Sequence, residues 1–436
     1  MKSVSENKKR ARAMKVITTD KFNDREYISI FGICIYYCRE LDDGYKKRFL
    51  CFRWFKRKNT IERKIDSILN ELQKIGSKGK MSKFAAETDF ENLPFEEIQK
   101  NSVLLIESNN FHSETLPGIA RYFIDLGYNV DILISYYENK LNPFDRYRFK
   151  KIRIKPIQNF DIRKVLKDSR LKKYAAVFFN SDRVNYQKDD SYQYFKESAI
   201  DEKKKIYMLH HPEAFQATNT NRCMLGNFDF IGETPPAIIV PTYYGNVKIK
   251  PKNKITSFVV IGNIDQKRKN FDLLLKTITQ LKLQNIDNFK INVIARVGQL
   301  EIPEAIKKHI AFKGKLTYSE MYFEIENADF ILALLDSSIP EHRRYLTKGI
   351  SGTILLSYGF RKPCIIEKEF ANQYGFTNKN SLIYSDKIDF HDTLIKAINI
   401  DKTQYLNLQC ELSELVNEIS DQSKKNLSKF VPNIRG

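Results

Sequence analysis

The chain has 436 residues, which favours two large domains, and its apolar fraction of 42% excludes wholesale disorder. Lys and Arg number 73 against 53 Asp and Glu, a net charge of +20 that favours anionic partners such as phosphorylated ligands or an acidic membrane surface. No zinc-finger spacing, KH-type loop or RRM-type aromatic motif accompanies this charge, so we predict no nucleic-acid partner. The alternative interpretation of the net charge is a Lys-rich solvated surface that binds no particular partner.

The six cysteines are scattered, and Cys34 and Cys38 lack a second Cys/His pair that would complete a zinc site. We therefore predict a reduced, cytoplasmic protein without a metal. The basic N-terminus is not followed directly by a signal-peptide core, and the apolar run at residues 28–37 is too short to span a membrane.

Residues 1–100 are predicted to be an appendage and linker. Basic residues interleave with aromatic ones over residues 28–55, which suits either peripheral contact with the anionic inner face of a membrane or a small hairpin-like subdomain with a basic rim. Apolar residues at helical spacing predict an amphipathic helix over residues 60–75. The polar stretch 76–97 reads as a linker.

Apolar runs typical of buried parallel strands alternate with helical patterns from residue 101 onwards, which predicts an α/β fold. A first domain is predicted over residues 101–250, a second over 251–400, and a helical tail over 401–436. Strands are predicted at residues 102–108, 130–135, 175–179, 205–209, 238–240, 258–261, 291–295, 310–312, 330–335, 364–367 and 381–384.

A polar loop joins a strand to a helix over residues 261–271. Gly262 at the strand end lets a ligand approach the backbone, and the helix N-terminus offers N–H groups. Lys267, Arg268 and Lys269 add positive charge at this mouth, which is what a diphosphate requires. The alternative is a solvated charged turn.

A second loop suited to phosphate precedes the helix predicted from about residue 351. Ser351, Gly352 and Thr353 would present backbone N–H and hydroxyl donors, and Lys348 adds charge. Because loops at the carboxyl ends of parallel strands converge on one crevice, the two loops together predict one diphosphate site. The alternative is an ordinary helix cap.

Polar side chains also follow the first strand of the first domain. Asn110, His112 and Glu114 lie in this loop, where acid/base groups and sugar-hydroxyl contacts belong. Capping of the next helix by Ser113 or Thr115 is the alternative, and both roles are compatible.

His210 and His211 follow another strand of the first domain. Adjacent residues of a strand point to opposite faces, so at most one of them would face the cleft and a metal pair is not predicted. One histidine acting as a base or hydrogen-bond donor and a purely structural histidine are both compatible with the sequence.

On these residues, the chain from Asn101 onwards resembles the GT-B glycosyltransferases, especially bacterial enzymes of surface polysaccharide or lipopolysaccharide synthesis. The resemblance implies two facing Rossmann-like domains, a nucleotide sugar bound by the second, an acceptor bound by the first, and a terminal helix that crosses back. The chain departs from the pattern in three places. Lys348 and Leu356 stand where many of these families have a Glu pair, Gly359 and Pro363 are further apart than in the usual Gly-x-Pro, and Asn263 rather than Arg follows Gly262.

The resemblance implies a metal-independent, hexosyltransferase-like enzyme without a cofactor, which moves a sugar from a nucleotide sugar to a glycan or lipid-linked acceptor. Gly262, Lys267, Arg268, Lys348 and the Ser351–Thr353 helix start would bind the diphosphate. His112, Glu114, His210 and His211 would be the catalytic candidates, and the acceptor would contact Asn110, Gly118 and Glu213. Two alternatives remain open: a nucleotide-sugar epimerase on the same fold, and a non-catalytic GT-B subunit that binds glycan or a partner.

Overall fold

The structure is a computed structural model. It describes the backbone of residues 17–22, 25–30, 33–40 and 46–49, and all atoms of residues 93–147, 149–158, 161–181, 198–210, 221–230, 234–295 and 302–433. The chain divides into two units, Met1–Glu87 and Thr88–Gly436.

The first unit contains an antiparallel sheet of consecutive strands. Its described strands are β1 (Ile17–Phe22), β2 (Arg25–Ile30), β3 (Ile33–Glu40) and β4 (Lys46–Phe49), which pair in chain order. A bulge between Ile28 and Ser29 interrupts the β2–β3 register. The helix predicted over residues 60–75 lies outside the described residues.

The second unit contains two parallel sheets. The described strands of the first sheet are β5 (Ser102–Glu107), β6 (Asn129–Ser135), β7 (Ile152–Ile157), β8 (Ala176–Phe179), β9 (Lys205–Leu209), β10 (Arg222–Met224) and β11 (Ala237–Ile238). Their order is β11-β10-β9-β8-β5-β6-β7, all parallel. The chain starts in the middle and winds outward both ways, so the order reverses between β5 and β8.

The second sheet follows the same rule. Its described strands are β12 (Thr256–Ile261), β13 (Phe289–Ile294), β14 (Ile310–Phe312), β15 (Phe330–Leu332), β16 (Cys364–Glu367) and β17 (Leu382–Tyr384). The order β14-β13-β12-β15-β16-β17 is that of a doubly wound Rossmann-type sheet. Its reversal point lies between β12 and β15. The predicted architecture of two Rossmann-like domains is confirmed.

Helices connect and cover these strands. The described α-helices are α1 (Leu116–Asp125), α2 (Tyr136–Leu141), α3 (Ile162–Val165), α4 (Phe271–Leu283), α5 (Tyr318–Asn327), α6 (Arg344–Thr347), α7 (Gly352–Phe360), α8 (Lys368–Gln373), α9 (Lys387–Asn399) and α10 (Lys402–Ser428). Short 3₁₀ turns cover Ser113–Thr115, Ser169–Lys173, Glu202–Lys204, Glu304–His309 and Pro340–His342. None of the helices in the described residues is long and apolar enough to cross a membrane.

The sequence missed β7, β10, α2 and α8, and it extended β15 too far. Strand β7 is a half-exposed edge strand in which Pro156 interrupts the apolar pattern, so it lacks the continuous apolar run of a central strand. Strand β15 was predicted to reach residue 335, but Leu334 has a φ of 52°, and the chain leaves the strand there. One of the helical patterns after residue 101, at residues 303–308, predicts a helix, but the structure forms a 3₁₀ turn there.

Helix α10 joins the two Rossmann-like domains. Near its start, the Tyr405 hydroxyl donates to the Asp329 carbonyl of the second domain at 2.7 Å. Near its end, Ser423 Oγ accepts from the Val240 N–H at 3.0 Å and Asn426 donates to the Ile238 carbonyl at 2.9 Å, both beside the first sheet. The terminal helix therefore crosses back to the first domain, as predicted.

Candidate active site

The strand order of the second domain puts its ligand crevice between the ends of β12 and β15. Gly262 follows β12 with a φ of 92°, a left-handed conformation that glycine adopts without steric cost. It is exposed, and a Cβ added there would meet no atom within 4 Å. The backbone at this strand end is therefore open to a ligand.

Lys269 lies at this reversal point. Its side chain is only 4% exposed, and Nζ donates to the Ala333 carbonyl at 2.9 Å and to Thr353 Oγ1 at 3.0 Å. Burial lowers the pKa of this ammonium to about 8. Asn270 fixes the orientation of the turn that carries Lys269 because it caps α4. Its Oδ1 accepts from the Leu273 N–H at 3.0 Å. The turn thus directs Lys269 inward while Lys267 and Arg268 remain exposed.

The start of α7 lies beside Lys269. Ser351 is the N-terminal cap residue and has an extended backbone, and its side chain makes no capping hydrogen bond within the described structure. Gly352 is exposed, and no atom lies within 4 Å of a Cβ added to it. The first N–H groups of a helix lack intrahelical acceptors and carry the positive end of the dipole. With Lys269 adjacent, this helix start is suited to an anion.

Glu107 occupies the corresponding reversal point of the first domain, at the end of β5. Its Oε1 accepts from the Asn109 N–H at 2.9 Å, and its Oε2 accepts from Asn180 at 2.9 Å and Ser181 at 2.5 Å. Burial raises the pKa of this carboxyl to about 7. The network joins the loop after β5 to the loop after β8.

Two histidines stack above this network. The rings of His112 and His210 are 3.8 Å apart between centroids and nearly parallel, and His112 has a left-handed φ of 65°. The Asn180 amide donates to the His112 carbonyl at 2.9 Å. His210 Nε2 donates to the Asn180 carbonyl at 2.8 Å, which defines its tautomer. His211 and Glu213, the other candidates here, lie outside the described residues.

Glu114 lies where the two domains meet. The Tyr318 hydroxyl, from α5 of the second domain, is 3.3 Å from Glu114 Oε2, 2.9 Å from Glu138 Oε2 and 3.0 Å from Ser113 Oγ. Ser113 also donates to Glu138. Burial raises the pKa of both Glu114 and Glu138.

Four of the residues described above line one cavity of about 140 Å³, here called the interdomain pocket. From the first domain come His112, Glu114 and His210, and Gly352 comes from the start of α7. Gly349 brings the domains close, since a Cβ added there would lie 3.8 Å from the His210 carbonyl oxygen. The full lining is His112, Glu114, Thr115, Leu209, His210, Leu225, Phe228, Arg344, Gly349, Ile350, Gly352 and Leu355.

The cations predicted for the diphosphate fall in a different cavity of about 440 Å³, here called the basic pocket. It is lined by Lys267, Arg268, Pro340, Glu341, Arg343, Arg344, Thr347 and Lys348. Lys267, Arg268 and Lys348 line the basic pocket, whereas Gly352 of the helix start lines the interdomain pocket. Lys269, rather than its two neighbours, lies at the start of α7. Three adjacent basic residues are visible in the sequence, but nothing in it indicates which one turns inward.

The two acceptor candidates that the structure describes lie nearby. Asn110 is exposed and accepts from Ser135 Oγ at 3.0 Å. Gly118 is buried in α1, where an added Cβ would lie 2.5 Å from Pro241 Cβ, so close packing alone requires glycine there. In the described part of the chain, no group of three or more His, Cys, Asp or Glu side chains is arranged to hold a metal ion.

Two doubly wound domains that meet at one pocket and are joined by a terminal helix constitute the GT-B fold. Among solved structures, the chain is similar to AviGT4, a glycosyltransferase involved in avilamycin A biosynthesis, with 10% identity, coverage of 75% of this chain and 98% of that one, and a TM-score of 0.45. The chain is also similar to WaaG, a glycosyltransferase involved in lipopolysaccharide biosynthesis. The identity is 11%, the match covers 77% of this chain and 100% of that one, and the TM-score is 0.39.

The α,α-trehalose 6-phosphate synthase of Burkholderia multivorans gives 7% identity, coverage of 76% of this chain and 98% of that one, and a TM-score of 0.41. No protein-family model and no curated protein sequence matches the chain. The strand order and connections of the chain itself define its fold.

Proposed function

We propose that this protein is a glycosyltransferase that moves a sugar from a nucleotide-activated donor to a glycan or lipid-linked acceptor. The observation that carries the proposal is the interdomain pocket, where the helix start of the second domain faces His112, Glu114 and His210 of the first. One side is suited to a leaving diphosphate and the other carries groups that can accept a proton. Following the sequence resemblance, the acceptor belongs to cell-surface polysaccharide or lipopolysaccharide synthesis.

On the donor side, negative charge accumulates on the diphosphate as the glycosidic bond breaks. Lys269, held against Thr353 at 3.0 Å, and the N–H groups that begin with Gly352 would stabilise this charge. Fixed donors in a partly closed pocket require little reorganisation during the reaction. In this proposal the protein's own cation and helix dipole perform the role for which other enzymes use a metal ion.

On the acceptor side, a hydroxyl must lose a proton as it attacks the sugar. Burial raises the pKa of Glu114 and so brings this carboxylate closer to the basicity that a general base needs at neutral pH. His112 and His210 line the same pocket and can position the hydroxyl. We propose Glu114 as the base and the stacked histidines as positioning groups.

A thermal-shift screen with UDP, GDP, ADP, CMP and their sugars tests the proposal. We expect stabilisation by one nucleotide class, and consumption of its sugar only when an acceptor is present. Stabilisation without transfer to any acceptor in a glycan panel would favour the non-catalytic subunit, and interconversion of the sugar without an acceptor would favour the epimerase. No shift with any nucleotide would contradict both the transferase and the epimerase.

A further inference from the structure

The basic pocket is a second place suited to an anion, and the proposed transfer does not use it. Five cationic side chains line it, Lys267, Arg268, Arg343, Arg344 and Lys348, together with one carboxylate, Glu341. In the described residues, none of Lys267, Arg268, Arg343 and Arg344 forms an ion pair. Cations gathered at one concave surface repel each other and focus a positive potential that an anion relieves.

His342 connects two of the segments that line the basic pocket. Its ring is fully buried, Nδ1 accepts from the Asp336 N–H at 2.9 Å, and Nε2 donates to the Gln266 carbonyl at 3.0 Å. His342 therefore ties the turn that carries Arg343 to the loop that carries Lys267. Buried contacts of His342 therefore hold the two backbone segments that carry these exposed cations.

Tyr345 contacts two of the arginines that line the pocket. Its hydroxyl accepts from Arg268 at 3.2 Å, and its ring lies 5.4 Å from the Arg344 guanidinium. Two guanidinium groups are thus oriented by one aromatic side chain. Guanidinium groups recognise phosphate and carboxylate through paired hydrogen bonds, which suits an anionic ligand better than a neutral one.

The basic pocket is next to the interdomain pocket, and Arg344 lines both. A sugar held in the interdomain pocket can therefore extend a substituent past Arg344. Lys269 and Thr353 bond each other beside the start of α7, so the helix-start site for the diphosphate is a separate group of residues. The volume of about 440 Å³ is large enough for a phosphorylated or carboxylated sugar.

We propose that the basic pocket binds an anionic substituent, a phosphate or a carboxylate, on one of the substrate sugars. This inference rests on the proposed function, because it assumes that a sugar occupies the interdomain pocket. It narrows the substrate class: the enzyme would act on a charged sugar rather than on neutral hexoses alone. The charge can belong to the donor sugar or to the acceptor.

Calorimetric titration of the full chain with glucose 6-phosphate, glucuronate and glucose tests the proposal. We expect at least one of the two anions to bind and glucose not to bind measurably. In the R343A/R344A variant, affinity for that anion should fall tenfold or more, since two guanidinium groups that can form charge-assisted hydrogen bonds are removed. The K276A/K379A variant, which removes two exposed lysines elsewhere in the same domain, should bind the anion as the wild type does.

Four outcomes would overturn the proposal. In the first, neither anion binds. In the second, the anions bind R343A/R344A as tightly as they bind the wild type. Alternatively, R343A/R344A loses affinity for UDP, GDP or ADP as strongly as for the sugar anions, which would give the pocket to the leaving diphosphate. Finally, the small anions do not bind, but phosphatidylglycerol vesicles bind and are released in the variant.

UDP-glucuronic acid and UDP-glucose distinguish the two sources of charge. If the donor sugar carries the anion, R343A/R344A should weaken the binding of UDP-glucuronic acid but not that of UDP-glucose. If the acceptor carries it, the variant should bind both donors as the wild type does and lose only the free sugar anion. If only the proposed function fails, the result is different: no nucleotide binds, yet binding of the sugar anions still requires Arg343 and Arg344.

Discussion

Three consecutive basic residues, Lys267, Arg268 and Lys269, reach different environments. The first two line the basic pocket, and the third is buried against Ala333 and Thr353. The difference arises from the turn before α4, where Asn270 caps the helix and fixes the backbone. At the residue scale, the direction of a side chain in a loop depends on this tertiary setting, which the composition of the loop does not reveal.

The pH dependence of nucleotide binding tests the role of Lys269. Burial lowers its pKa to about 8, so its positive charge is present at pH 7 and is lost as the pH rises above 8. We expect calorimetric affinity for the nucleoside diphosphate that binds, among UDP, GDP and ADP, to fall severalfold between pH 7.5 and 9.5. The K269A variant should bind weakly at both pH values. The same slope in K269A as in the wild type would contradict this role.

Glu107 predicts a pH dependence of stability. Its pKa is raised to about 7 in the folded chain because burial disfavours the carboxylate. The protonated form of Glu107 therefore stabilises the folded chain. This stabilisation is complete below the ordinary carboxyl pKa and is lost as the pH rises through 7.

The Glu107→Gln variant lacks this titration. Its melting temperature, relative to that of the wild type, should therefore increase between pH 5 and pH 8. Glu418→Gln, at an exposed position of α10, is the matched control and should follow the wild type. A constant difference between Glu107→Gln and wild type across this range would show that Glu107 does not titrate there.

At the scale of the element, α7 has two glycines with opposite requirements. Gly359 packs against Tyr244, and a Cβ added there would lie 2.0 Å from the ring. Gly352, at the other end of the helix, faces open space. One helix therefore combines a crowded contact with an open end suited to a ligand.

Alanine substitutions separate these two requirements. Gly359→Ala should lower the free energy of unfolding by about 1–3 kcal/mol because the ring of Tyr244 must move. Gly352→Ala should change it by less than about 0.5 kcal/mol, since its surroundings are open. Urea unfolding of both variants measures the difference. Equal stability of the two variants would contradict the packing described for Gly359.

The sequence indicated most elements through two signals. Continuous apolar runs identified central strands such as β5 and β12, and helical spacing identified α4. Strand β7 was missed because an edge strand with Pro156 lacks such a run, and α2 and α8 are too short to show a period.

For the site, the strand-end loops were found because Gly, Ser and Lys cluster in them. The partners across the domains were not found. Tyr318 and Arg344 approach Glu114 and the start of α7 through tertiary packing that no local pattern encodes.

At the scale of the whole molecule, contacts between the two Rossmann-like domains hold the interdomain pocket together. Arg146 of the first domain pairs with Glu326 of α5 at 2.5 Å, and Ser319 donates to Asp145 at 2.7 Å. Helix α10, about 40 Å long for its 27 residues, contacts both domains. The terminal helix is therefore part of the framework that supports the site.

A double substitution at the end of α10 tests this framework. In S423A/N426A, the Val240 N–H and the Ile238 carbonyl lose their partners on the helix. We expect the free energy of unfolding in urea to fall by about 2–4 kcal/mol, since each buried group left unpaired costs about 1–3 kcal/mol. S428A, at an exposed position, is the control. Unchanged stability of the double variant would mean that α10 does not hold the first domain.

The central claim is that Lys269 and the start of α7 bind the diphosphate of a nucleotide sugar. Calorimetric titration of UDP, GDP and ADP into the wild type, K269A and K276A tests it most directly. Lys276 is exposed on α4 and has the same charge, so K276A controls for the loss of one lysine. We expect one nucleotide to bind the wild type and K276A equally and to bind K269A at least tenfold more weakly. Equal affinity of K269A and the wild type, or no binding of any nucleotide, would contradict the account.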